Sequence, residues 1–281
     1  MTGSRAMRRR LANWLFVGLC GLATAIALGL LVAILWTLVS RGISGLGLVL
    51  FTLDQPAPGS HGGLRNAIVG SLIMCGMGMA AALVIGILAG TWLAEYAPGT
   101  RAATVVRFLN DVLLSAPSIL IGLFVYELLV APFGGFSGYA GAVALAFVAT
   151  PIVVRTTEDI LLLQPAALRE AGMALGAGRA LVIRRIVWRA ARTGLLTGGL
   201  LGFARISGET APLLFTSLGN QFFNADPSQP MASLPTTIFQ FALSAYDEWQ
   251  SLAWAGALLI AAAVLVVNIV GRILARESHS L

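Results

Sequence analysis

The sequence predicts an all-α, polytopic membrane protein with six transmembrane helices, and three observations carry that expectation. Of the 281 residues, 58% are hydrophobic and 11% charged, with a mean hydropathy of +0.87, whereas soluble domains carry about 25% charged residues. Apolar runs recur at lengths that suit a bilayer, which a helix crosses in about 20 residues. The 18 basic residues are all arginine. They gather in alternate loops, not in one patch, as membrane topology requires and nucleic-acid binding does not.

The elements follow in order. Residues 1–13 form a basic N-terminal segment carrying Arg5, Arg8, Arg9 and Arg10. The run 14–39 is far longer than the apolar core of a signal peptide, so it reads as a retained first span. Residues 40–66 form an outer loop with Gly and Pro. The second span, 67–93, contains Gly86 and Gly90, a spacing that lets helices approach closely. Residues 95–111 read as a polar loop with Arg101 and Arg107. The third span, 112–130, is broken early by Pro117, and Glu127 near its far end reads as an interfacial residue. The fourth span, 139–154, has Pro151 near its exit. A long charged loop, 155–192, leads to a fifth span, 193–215. An acidic loop, 217–250, holds Asp226, Asp247 and Glu248 and no arginine. The sixth span is 252–274, and 276–281 is a tail. This places Cys20 and Cys75 in opposite leaflets, as small unpaired hydrophobes.

Orientation follows from the arginines. With both termini cytoplasmic, Arg41 and Arg65 lie outside, Arg205 lies in the membrane, and every other arginine is inside. The reverse topology inverts that bias.

Two stretches carry the chemistry. The first is a short water-side helix with Pro165 at its start and Gly176 at its stop. Leu168, Ala171, Gly172 and Leu175 fall at helical spacing and predict one face of small volume. Such a face suits a helix seated in another protein's groove; the plainer alternative is a surface helix lying on its own bundle. After it, 179–192 predicts a basic amphipathic helix. Val182, Ile183, Ile186, Val187 and Ala190 turn to the membrane, and Arg184, Arg185, Arg189 and Arg192 to water or headgroups.

The second stretch is an arginine and a glutamate inside the fifth span. Gly194, Gly198, Gly202, Arg205, Glu209 and Pro212 fall on one stripe of a continuous helix. An arginine at mid-span costs at least about 2.5–3.5 kcal/mol on insertion scales, so it faces a bundle interior or a watery cavity. One reading is an ion pair that locks helices together. The other is an anion relay. The guanidinium fork fits phosphate oxygens, Glu209 holds Arg205 when no anion is present, and Thr210 adds a hydroxyl. Glu209 also accepts a hydrogen bond from a protonated phosphate, which fully deprotonated sulfate cannot offer.

The words around these residues resemble a known family. Glu170-Ala-Gly-Met-Ala-Leu-Gly176-Ala, with Ile183 and the following Ala-Ala-Arg-Thr-Gly194, is similar to the EAA loop of ABC importer permeases of type I, the MetI-like fold. Ser-Gly-Glu209-Thr-Ala-Pro-Leu-Leu resembles the phosphate importers among them. So do the segments Gly63–Ser71, Ala116–Phe124, Pro151–Glu158 and Met231–Pro235. Two departures are visible: the third motif position is Gly172 where the family has Ala, and Trp188-Arg189 stands where the family has Leu-Pro. Sulfate and molybdate permeases share Arg-x-x-Gly-Glu but continue Phe-Gly, and a permease for another oxyanion, tungstate included, is the nearest alternative.

The resemblance implies a permease core over about 67–275, of the A-type of two related phosphate permeases, in the cell inner membrane. Glu170, Ala171 and Gly176 are then expected to dock on an ATPase, and Arg205, Glu209 and Thr210 to lie on the substrate path. The implied partners are a second permease forming a heterodimer, two ATP-binding subunits, an extracytoplasmic phosphate-binding protein and membrane lipid.

Composition limits the chemistry of this chain itself. It has no lysine, so it cannot form an ordinary Walker A loop. ATP and Mg²⁺ are expected on a partner, with no cofactor here. No His-Glu-x-x-His or Gly-x-Ser-x-Gly turn marks an enzyme. His61 and His279 stand apart, and no metal site is expected.

Overall fold

The computed structural model describes residues 3–277, with side chains over 7–273. The described residues are helical, with turns and loops and no strand. Helix α1 is Gly3–Gly42, and α2 is Arg65–Thr91, extended by a π turn over Trp92–Tyr96. Helices α3 (Arg101–Ser115) and α4 (Ser118–Val125) meet at an elbow, and α5 is Gly138–Leu162. The short α6 is Ala166–Ala174. Helix α7 begins at Arg179–Val182 and runs through a π turn, Ile183–Val187, to Trp188–Ala190. Then come α8 (Arg192–Ser207), α9 (Ala211–Thr216), α10 (Leu234–Ala242) and α11 (Asp247–Glu277).

The centre is the pairing of α2 with α5, the most extensive helix contact in the chain. Small residues make it possible. A Cβ added at Gly86 falls 2.6 Å from Val153 Cβ, and one at Gly90 falls 2.6 Å from Thr157 Cβ, so only glycine lets the two backbones close to this distance. Met74, Met79, Leu145, Val153, Ile206 and Leu213 fill the core between α2, α5, α8 and α9. By contrast α1 is exposed from Met7 to Trp36 and touches the bundle at its far end. There Gly42 packs on Leu258 of α11, and the Arg41 guanidinium lies 5.5 Å from the Trp254 ring.

Among the described residues four helices are long and apolar enough to cross a membrane: Met7–Gly45, Arg65–Tyr96, Gly138–Leu162 and Asp247–Ile273. A fifth arises if Arg101–Ser115 and Ser118–Phe133, bent by 105°, form one span. The expected sixth, 193–215, is two pieces of 16 and 6 residues. Pro212 explains the break, since its ring would clash with the Gly208 carbonyl in a continuous helix. The stripe drawn on one helix therefore ends at Ser207.

Two loops are more ordered than their composition suggested. Residues 101–115, read largely as loop, form a helix whose Thr100 cap accepts from the Ala103 N–H. It stops because Pro117 holds Ala116 extended, at φ −67° and ψ 134°. The acidic loop 217–250 contains α10, capped by Ser233. It folds inward: Leu234 N–H donates to Ser71 Oγ at 2.7 Å, Asn66 Nδ2 to the Asn220 carbonyl at 2.7 Å, and Gln55 Nε2 to Thr237 Oγ1 at 2.6 Å. Glu127 is exposed in a π turn. Cys20 is exposed and Cys75 buried, both unpaired.

Candidate functional site

Arg205 lies in the last turn of α8, and Glu209 lies in the break that follows. Arg205 Nε lies 3.1 Å from Glu209 Oε1, with the arginine side chain 56% exposed and the glutamate 9%. Glu209 thus lies on the Nε side of the fork, and among the described residues the terminal nitrogens donate no hydrogen bond. Arg205 is the charged member of a cavity of about 290 Å³ lined by Leu113, Leu114, Ala116, Ser118, Ile121, Val148 and Ile152. The α3–α4 elbow and α5 build its walls, and Ser118 adds a hydroxyl. The glycines of α8 set the depth. Gly194 packs on Ile160, Gly198 on Thr156, and Gly202 on Val153 and Met79, so α8 lies flat on α5. Pro212 carries the contact forward onto Gly122 of α4, where an added Cβ would lie 2.7 Å from Pro212 Cα. The structure thus brings Arg205 and Glu209 together. It places Thr210 beside them at the N-cap of α9, half-buried, outside the cavity lining.

Such a cavity suits an anion. A guanidinium offers donors to it, and a buried carboxylate keeps them oriented.

The second candidate surface is α6. Gly176 has φ +81°, and the Gly176 and Ala177 N–H groups return to the Met173 and Gly172 carbonyls at 2.9 and 3.3 Å. This is a Schellman stop, which needs the left-handed region at Gly176. The expected small face is split. Gly172 is buried and Leu168 half-buried, while Ala171 is exposed and Leu175 is 88% exposed. A Cβ at Gly172 would lie 2.9 Å from both Val182 and Ile186. That crossing rolls α6 on its axis and turns Ala167, Glu170, Ala171 and Ala174 outward. It also accounts for glycine where the family pattern has alanine.

The residue that sequence reasoning missed is Glu95, 4% exposed. Arg169 Nη2 and Nε meet its carboxylate at 2.5 and 3.0 Å, and Nη1 and Nη2 also donate to the Gln164 and Leu161 carbonyls, each at 2.8 Å. One guanidinium thereby ties α6 to the ends of both α2 and α5. The Glu95 carboxylate raises the already high Arg169 pKa by hydrogen bonding. Arg179 donates to the Glu95 carbonyl, and its guanidinium lies 5.1 Å from the Tyr96 ring. Arg107 pairs with buried Glu158 at 2.7 Å. The available signal was an acid closing a 27-residue apolar helix, at a water-side end where no charge needed burying. Where the family has Leu-Pro, Trp188 donates to Thr91 Oγ1 at 3.1 Å, and the helix is interrupted for one residue, Ala191. Among the described residues no group of three or more His, Cys, Asp or Glu is placed to hold a metal.

Known proteins give the same outline. Residues 63–279 match the family described as binding-protein-dependent transport system inner membrane component. The chain is 53% identical over 265 residues, 94% of each chain, to a protein of Haemophilus influenzae named phosphate transport system permease protein PstA. It is 51% identical over 268 residues to the PstA of Xylella fastidiosa, covering 95% of this chain and 93% of that one. A probable PstA of Methanocaldococcus jannaschii is 35% identical over 258 residues. In fold it resembles a chain of the MetNI methionine ABC transporter in an inward-facing conformation. The TM-score is 0.62 at 20% identity, over 76% of this chain and 96% of the other.

Proposed function

This chain belongs to the family of binding-protein-dependent transport inner membrane components, and from that membership we propose that it is the A-type permease subunit of an ATP-driven phosphate importer. It is a multi-pass membrane protein that works with a partner ATPase and a substrate-binding protein. The observation that carries the reading is the half-exposed Arg205, held by buried Glu209 at the wall of an intramembrane cavity, in a chain whose phosphate-permease relatives align over nearly its whole length.

In this reading phosphate leaves the binding protein and enters between this chain and a second, related permease. The free nitrogens of Arg205 take its oxygens bidentately. Glu209 accepts the hydrogen of a protonated phosphate, and the Thr210 hydroxyl assists at the edge of the path. Arg205 returns to Glu209 when the anion leaves, so the cation never stands alone in the membrane. Driving force comes from ATP and Mg²⁺ on two partner subunits. Glu170, Ala171 and the Gly176 stop present α6 to that ATPase. Its closure moves α6 and, through Arg169, the ends of α2 and α5. Both termini then lie in the cytoplasm, with the protein in the inner membrane.

The test is reconstitution with the co-encoded partners, measuring ATPase activity and uptake with phosphate, sulfate or molybdate. Stimulation and uptake confined to phosphate are expected. A response to sulfate or molybdate instead assigns the permease to another oxyanion.

A further inference from the structure

A second cavity lies on the side of α8 away from Arg205. It is a groove of about 520 Å³ between α2, α8 and α11, lined by Leu83, Ile87, Gly199 and Phe203, with Trp188 and Arg192 at one end. Arg192 is the charged member of an otherwise apolar lining. From Arg192 to Phe203 is three turns of helix, about 16 Å. That is roughly half the hydrocarbon thickness of a bilayer, so the groove runs the depth of one leaflet.

Its charged end stands where headgroups lie. Arg192 is exposed and forms no ion pair among the described residues, and neither do Arg184, Arg185 and Arg189 on the preceding helix. Arg272 is exposed one residue beyond Gly271, which closes the groove from α11. The indole N–H of Trp188 is already committed to Thr91, so its ring, not its donor, is on offer at the interface, where tryptophan is favoured.

We propose that this groove is a binding site for one anionic phospholipid, its acyl chain along Leu83, Ile87, Gly199 and Phe203 and its phosphate on Arg192. Charge decides against a second copy of this chain as the occupant. The exposed α1 of a second copy would bring Arg8, Arg9 and Arg10 to the same level as Arg192 and Arg272, arginine against arginine. A zwitterionic lipid brings the same phosphate with an ammonium that this basic end repels. An anionic headgroup near one arginine gains about five-fold in affinity over a neutral one.

The experiment uses the purified, assembled transporter in nanodiscs of unlabelled phosphatidylcholine. Phosphatidylglycerol or phosphatidylcholine with brominated chains is titrated in. The Trp188 signal is the difference in fluorescence between the native chain and Trp188→Phe. Quenching by brominated phosphatidylglycerol is expected at about five-fold lower mole fraction than by brominated phosphatidylcholine. Arg192→Gln should abolish that preference while leaving contact quenching, and Arg192→Lys should keep most of it. Equal quenching by the two lipids in the native chain means unselective annular lipid, and overturns the site. Trp188 untouched by either lipid means that a protein chain covers the groove, which overturns it too. A preference that survives Arg192→Gln overturns the assignment of the headgroup to Arg192.

Discussion

Arg205 and Glu209 are unequal partners, and that inequality sets what their substitutions do. The arginine side chain is 56% exposed and the glutamate 9%, so the charge that suffers most from separation is the carboxylate. Arg205→Lys keeps a cation near Glu209 but removes the planar fork. Phosphate uptake should fall roughly ten- to hundred-fold, the worth of one charge-assisted hydrogen bond, with normal amounts of protein in the membrane by immunoblot. Arg205→Ala leaves Glu209 buried without its cation, which destabilises the break before α9. The double variant Arg205→Ala/Glu209→Ala should assemble better than Arg205→Ala and still fail to transport. Normal uptake by the double variant would show the pair to be architectural. Gly176 is the other residue whose backbone dictates its identity. At φ +81° an alanine costs roughly 1–2 kcal/mol, while asparagine tolerates this region better. Co-purification of the ATPase subunit should therefore weaken with Gly176→Ala and less with Gly176→Asn.

At the scale of elements, the proposed coupling needs a link from a short helix outside the membrane to long helices inside it. Arg169 is the tie that would carry it. Its guanidinium holds Glu95 at the end of α2, the Leu161 carbonyl in the last turn of α5 and the Gln164 carbonyl just beyond it, and those two helices make the most extensive contact in the chain. Helix α6 is therefore tied to the core, and a push on it is expected to reach α2 and α5. Arg169→Gln leaves Glu95 buried without its cation, a loss of about 3 kcal/mol for a buried pair. ATP hydrolysis should then continue with little phosphate uptake, measured as transport per ATP. Adding Glu95→Gln should recover assembly, since a buried amide avoids the stranded charge. Recovery of full coupling in the double variant would sink the lever. Gly172→Ala tests the adjoining contact. Its Cβ would press on Val182 and Ile186 at 2.9 Å, an overpacking of about 1 kcal/mol, and Ile186→Val should relieve part of it in a thermal-unfolding assay of the complex.

Across the whole molecule, charge divides one end from the other. The arginine-rich segments around α6 and α7 lie opposite the loop 217–246, which carries no arginine. A cysteine at exposed Ser228 should react with an impermeant thiol reagent from outside intact cells. One at Ser233, which is fully buried, should stay protected in the folded protein. Labelling at position 228 only after the membrane is opened would reverse the topology. The contrast between the two sites checks something else, namely that this loop is folded onto Ser71 and Asn66 and does not hang free.

Composition and apolar run length determined on their own that the chain is a helical membrane protein. Covalent backbone rules settled a few local points as well. Proline at 117 had to interrupt a helix, and glycine at 176 had to end one, because those constraints act within a few residues of chain. The arginine–glutamate pair was legible too, since four residues bring them close in a helix or across a short break. Partnerships between distant segments were not legible. Glu95 and Arg169 are 74 residues apart, and nothing local in either marks the other. The same holds for Ser71 with Leu234 and for Gly172 beneath Val182 and Ile186. Periodicity said that α6 has a small face but not which way it turns, because rotation is fixed by what crosses it. Only tertiary packing chose that rotation, buried Glu95, and folded a polar outer loop against α2, since burial depends on neighbours that sequence order does not supply.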